Sequence, residues 1–199
     1  MTLRSFKRSS VTNNINYKSI LVGNDAYIPN SYESIATNTV GSGGVSSVTF
    51  SSIPATFTHL QIRATVRGGF AGTEEQFRVR FNGSTSGYAS HWLEGDGSTT
   101  VSANTFGDSE ILLRYVAAGG SAASIFGVLV LDILDYANTS KNTTTRTLMG
   151  YDKNGAGKVT LTSGLWNNTS AISSISIVPK DGSSWAEYSS FALYGIKGA

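Results

Sequence analysis

The chain has 199 residues, 40% of them hydrophobic and only 14% charged, with 22 glycines, three prolines and no cysteine. That length supports one domain with a self-sufficient core, and a glycine-rich, charge-poor balance speaks against a helical bundle. The missing cysteine excludes disulfides, thiolate metal sites and cysteine nucleophiles, and a net charge of only +2 is not that of a strongly basic nucleic-acid binder.

Charge is unevenly placed. Residues 1–31 hold four basic side chains (Arg4, Lys7, Arg8, Lys18) and one acidic one (Asp25), which leaves eleven basic and twelve acidic for the rest. The same segment carries Tyr17, Ile20, Leu21, Val22, Tyr27 and Ile28 without helical or strand periodicity. It therefore reads as an irregular N-terminal arm with a partner of its own, ahead of a body spanning residues 32–199. "MTLRSFKRSS" is basic, but no continuous apolar stretch follows it, so no secretion signal is expected. The longest apolar run, "SIFGVLVLDIL", is too short to span a bilayer and contains Asp132, so no membrane insertion is expected.

From Tyr32 on, short strand-like segments alternate with Gly, Asn, Asp and Ser. "ESIATNTV" and "SSVTFSSI" come first. In "HLQIRATVR", Leu60, Ile62, Ala64 and Val66 alternate with His59, Gln61, Arg63, Thr65 and Arg67, the two-residue period of a strand with one buried face. "QFRVRFNG" repeats it, with Phe77, Val79 and Phe81 inward and Arg78, Arg80 and Asn82 outward. "GGFAGTE" between them predicts a hairpin loop. "YASHWLEG", "SEILLRYVA", "SIFGVLVLDILDY", "TTRTLMGY", "KVTLTSGLW", "ISSISIVP" and "YSSFALYGI" complete the series. "SIFGVLVLDIL" is apolar in both phases and is expected in the most buried part of its sheet. Ten to twelve strands without a helical segment predict an all-β antiparallel sandwich of jelly-roll type, a closed barrel being the alternative.

The chain offers little catalytic chemistry. The histidines are two, His59 and His91, and no G-x-S-x-G elbow supports a triad of His91, Asp96 and a serine. Glu94 and Asp96 are a carboxylate pair of the kind a glycosidase needs, but "LEGDGS" reads as a plain turn. "GYDKNGAGKV" fails as a calcium loop, with Ala156 at position five and Ser163 at position twelve. It fails as a phosphate loop too, with Asp152 in place of the first glycine and Val159 in place of Ser/Thr; a hairpin explains it. No catalytic residue, metal or cofactor is expected.

Two surfaces remain. If the third and fourth strands pair, Arg63, Arg67, Arg78 and Arg80 share one exposed face suited to a partner; nucleic acid is disfavoured there because no aromatic shares the outward phase. Tyr88, Trp92, Trp166 and Trp185, in or next to loops, offer a platform for a host-surface glycan.

The opening "INYKSILVGNDAYIPNSYESIATNTVGSGGVSSVTFSSIPATFTHLQIR", the middle "VLDILDYANTSKNTTTRTLMGYDKNGAGKVTLTSGLWNNTSAISSISI" and the closing "SSFALYGIKGA" resemble a group of small structural proteins of tailed bacteriophages, frequent among marine and cyanobacterial phages. The resemblance implies a virion component assembled in the host cytoplasm, a tail, fibre or capsid-decoration protein, with other virion proteins and copies of itself as partners. It implies no catalytic residues. Docking through the arm, by Arg4, Lys7, Arg8, Tyr17, Ile20, Leu21, Val22, Tyr27 and Ile28, fits it. The alternatives are a receptor- or glycan-binding module at a tail tip and, with least support, a polysaccharide-degrading enzyme.

Overall fold

The computed structural model of the chain describes residues 32–180 and 183–198. The nine arm residues named above, Arg4 through Ile28, lie outside the described residues.

Twelve strands are described: β1 (Tyr32–Thr39), β2 (Val48–Phe50), β3 (His59–Val66), β4 (Glu74–Phe81), β5 (Tyr88–Gly95), β6 (Thr100–Asp108), β7 (Ile111–Ala117), β8 (Gly127–Leu134), β9 (Thr143–Asp152), β10 (Gly157–Trp166), β11 (Ile175–Pro179) and β12 (Ser190–Ile196). They form an eight-stranded sheet ordered β1-β12-β3-β8-β9-β10-β5-β6 and a four-stranded sheet ordered β2-β11-β4-β7. Every neighbouring pair is antiparallel. The described part of the chain is thus the all-β sandwich that the two-residue period dictates.

The core lies between the sheets. Leu60, Ile62 and Val66 of β3 and Phe77, Val79 and Phe81 of β4 are fully buried. Trp185 is sealed between Phe77 and Phe191, edge to face at 5.5 and 5.2 Å between ring centres, and its Nε1 donates to the Ile177 carbonyl at 3.2 Å. Trp166 stacks on Tyr88 at 6.0 Å, and the Tyr88 hydroxyl accepts from the Phe81 amide at 2.9 Å. Tyr88, Trp92, Trp166 and Trp185 are therefore buried residues, and the expectation of an aromatic platform built from them is corrected.

Three further expectations change. β3 and β4 do not form a hairpin; they lie in different sheets. The segment between them crosses the sandwich, pinned where Gly68 donates to the Ala117 carbonyl and Gly69 to that of Ser184. A Cβ on Gly68 would stand 2.6 Å from the Glu75 side chain, so glycine is required for this passage. The second change concerns β8, which is central in its sheet but buried on one face only: Val128 and Leu134 are exposed. The third is "TVSANTFGD", which is not among the expected strands and forms β6, without apolar alternation. It is the last strand of the larger sheet, and all of it but Thr105 and Asp108 is exposed.

Candidate interaction face

β10 folds with its apolar phase turned outward. Thr160 and Thr162 are buried, while Val159, Leu161 and Leu165 are exposed. β9 does the same in part, burying Thr143, Thr145 and Thr147 and exposing Leu148. The inward threonines lie under β7, whose Ile111 side chain packs against Gly164. A strand buries its apolar phase by default, so this inversion leaves apolar area open at about 25 cal/mol per Å².

Register makes the open residues contiguous. Val130, Leu148, Leu161 and Leu93 are successive cross-strand neighbours on β8, β9, β10 and β5. One step along the strands, Val128, Gly150, Val159 and Gly95 form a parallel row of alternating bulk and hollow. Leu148 and Val159, 57% and 61% exposed, line a groove of about 750 Å³ together with Met149, Gly150, Asp96 and Asp152. On the other side of the leucines runs a polar row of Asp132, Arg146, Ser163 and His91, in which Arg146 pairs with Asp132 at 3.3 Å. Monomeric proteins rarely expose apolar patches beyond a few hundred Å².

The four arginines are not brought together. Arg63 is exposed on the larger sheet, donating to Gln61 Oε1 at 2.9 Å and lying over the Tyr32 ring at 5.4 Å. Arg67 lies just past β3 and turns back along the fold. Its guanidinium donates to the carbonyls of Gly119, Ser121, Ala122 and Ile125 at 2.7–3.2 Å, clamping the connection between β7 and β8. Arg78 and Arg80 stand on the outer side of the smaller sheet and converge on buried Glu110, at 2.9 and 2.5 Å, with Ser109 Oγ as a third donor. Burial pushes the Glu110 carboxyl up, but the Arg80 and Ser109 hydrogen bonds and the two arginine charges outweigh it and hold it below its ordinary value.

The strongest charged cluster joins both sheets. Glu74 on β4 receives the Lys158 ammonium at 2.9 Å and the Tyr151 hydroxyl, with Lys153 at 3.9 Å. Lys158 also reaches Glu94 at 3.9 Å, which Arg114 of β7 approaches at 3.7 Å. Arg114 covers the ring of Trp92 at 4.8 Å. Burial works to raise Glu74 and is outweighed by Tyr151 and the two lysines, so its carboxyl stays low. Burial works to lower Lys158, and the bond to Glu74 and the charges of Glu74 and Glu94 reverse it, so its ammonium is held more firmly protonated. Burial, then the hydrogen bond to Glu74, pushes the Tyr151 phenol up. Lys158, not turn proximity, thus associates Glu94 with Glu74; a separation of twenty residues in sequence gave no sign of it. Asp96, the partner considered for Glu94, instead caps its own turn. It accepts from the amides of Thr99 and Ser98 and from both their hydroxyls, which hold its carboxyl well below the usual range.

His59 Nδ1 accepts from the Asp135 amide at 2.9 Å, and His91 is exposed on β5. Among the described residues no three His, Asp or Glu side chains gather as a metal-binding set. No protein-family model, curated protein or solved structure matches the chain.

Proposed function

We propose that this protein is a non-enzymatic structural component of a tailed-phage virion, a peripheral tail, fibre or capsid-decoration protein docked through residues 1–31. The observation that carries an assembly role is the outward apolar phase of β10 and its neighbours on β9, β8 and β5. A sandwich working alone gains nothing from it; a sandwich that packs on another protein does.

The strand order adds support. With β1, β12 and the β9–β10 hairpin set aside, the two sheets read β2-β11-β4-β7 and β3-β8-β5-β6. That reduced order matches an eight-stranded jelly roll, an architecture used by viral capsid and lectin domains, and favours that reading. The glycan-binding alternative loses support from the burial of Tyr88, Trp92, Trp166 and Trp185. The enzymatic one loses support because Asp96, the partner considered for Glu94, is taken up by the amides and hydroxyls of its own turn.

The test is incorporation. A tagged full-length chain produced during infection co-purifies with particles through a density gradient. The chain lacking residues 1–31 melts within a few degrees of the full chain and is left behind. Absence of the full-length chain from purified particles refutes the proposal.

A further inference from the structure

We infer that the outer face of β8, β9, β10 and β5 takes a second copy of this chain, in a two-fold dimer whose axis runs along the strands between β9 and β10. The inference rests on the reading of this face as an assembly surface and adds its occupant.

The rows of side chains are self-complementary under that axis, which exchanges β8 with β5 and β9 with β10. In the row Val128, Gly150, Val159, Gly95, each valine then meets a glycine of the other copy: Val159 over Gly150, Val128 over Gly95. In the next row Leu148 meets Leu161 and Val130 meets Leu93. In the polar row Asp132 meets His91 and Arg146 meets Ser163, so no like charges are opposed. An axis across the strands at the middle of the patch, between the leucine row and the polar row, would instead lay Val130 on Asp132 and Leu148 on Arg146, which would strand a charge against apolar surface. A two-fold contact requires one patch to match itself in this way. Sheets packed face to face keep their strands within about 30°, which preserves these rows.

The area suffices. Four strands at about 4.8 Å and four rows at roughly 6.8 Å, the three above and the row of Leu134, Thr144, Leu165 and Ala89 beyond the polar one, give about 500 Å² per copy and about 1,000 Å² for the pair, the lower limit of a specific interface.

Sedimentation velocity of the full-length chain at micromolar concentration tests it, with two variants. Val159→Asp puts a charge opposite a hollow. Gly95→Leu fills the other hollow at little cost to its own fold, because an added Cβ meets nothing closer than the Thr99 carbonyl at 3.8 Å. The wild type is expected to be a dimer, and both variants monomers with unchanged far-ultraviolet circular dichroism, their dissociation constants raised at least about 100-fold, near 2.7 kcal/mol. Because the chain lacks cysteine, Leu148→Cys copies mixed with Leu161→Cys copies should form a disulfide-linked pair faster than either variant alone. A monomeric wild type, a dimer indifferent to both substitutions, or equal cross-linking rates overturns the inference. Particle incorporation is scored separately. A monomer that still incorporates overturns the dimer and leaves the proposed function standing; a dimer that never incorporates does the reverse.

Discussion

Replacing Arg67 with alanine removes the clamp on the segment between β7 and β8. The guanidinium makes four hydrogen bonds to carbonyls there, two of them partly buried, those of Ser121 and Ile125 at 2.7 and 2.9 Å. The carbonyls of Gly119 and Ala122 are exposed and regain water in the variant, so their loss is nearly neutral. The partly buried pair does not regain it fully. At roughly 1.5–3 kcal/mol for a bond to a charged donor, partly offset by water, the loss is about 2–4 kcal/mol. In a domain of this size that lowers the melting temperature by roughly 5–15 °C. Arg67→Lys recovers less than half of it, because one ammonium cannot span four acceptors in a plane. Thermal melting followed at the strand band measures the shift. Hydrogen exchange locates it: amides at 118–126 should lose protection first. Melting within a degree or two of the wild type, with exchange in that segment unchanged, would refute the role assigned to Arg67.

Other consequences are as direct. Val79→Asp or Ile62→Asp places a lone carboxylate in a fully buried layer, at a cost of several kcal/mol, so neither variant should yield soluble folded protein; a soluble variant with wild-type melting contradicts the core assignment. Trp185→Ala, which empties the site between Phe77 and Phe191, should cost about 3–5 kcal/mol by urea titration. Because Glu110 is depressed in the fold, its contribution is present above its ordinary value of 4.5 and is lost as pH falls through the lower folded value. The stability gap between wild type and Glu110→Gln should therefore shrink on acidification below that value; a gap that is constant from neutral to acid pH contradicts it.

The period-two segments were legible because each buries one apolar face: β3 and β4 appear where Leu60, Ile62, Phe77 and Val79 place them. Sheet membership was not, because a short glycine-rich spacer serves a hairpin and a crossover equally, and only Gly68 and Gly69 meeting β7 and Ser184 decide. β6 carried no signal, since a strand exposed on both faces has nothing to alternate. The open face was partly visible as the doubly apolar run of β8, but such a run reads the same whether its second face is covered within the chain or left for a partner. The cation-held Glu74 and Glu94 were illegible because Lys158 and Arg114 reach them only after distant strands assemble.

The order of strands also sets when the fold can close. β1 pairs with β12, joining Tyr32 to Ile196, and β2 pairs with β11. Apart from the β5–β6, β8–β9 and β9–β10 hairpins, partners are far apart in sequence. Such high contact order places folding in the millisecond-to-second range. During synthesis the edge of β3 stays unpaired until residues 190–196 have left the ribosome, so the sandwich is completed only after its last strand is made, and nascent chains on crowded polysomes are most exposed to mispairing at that edge.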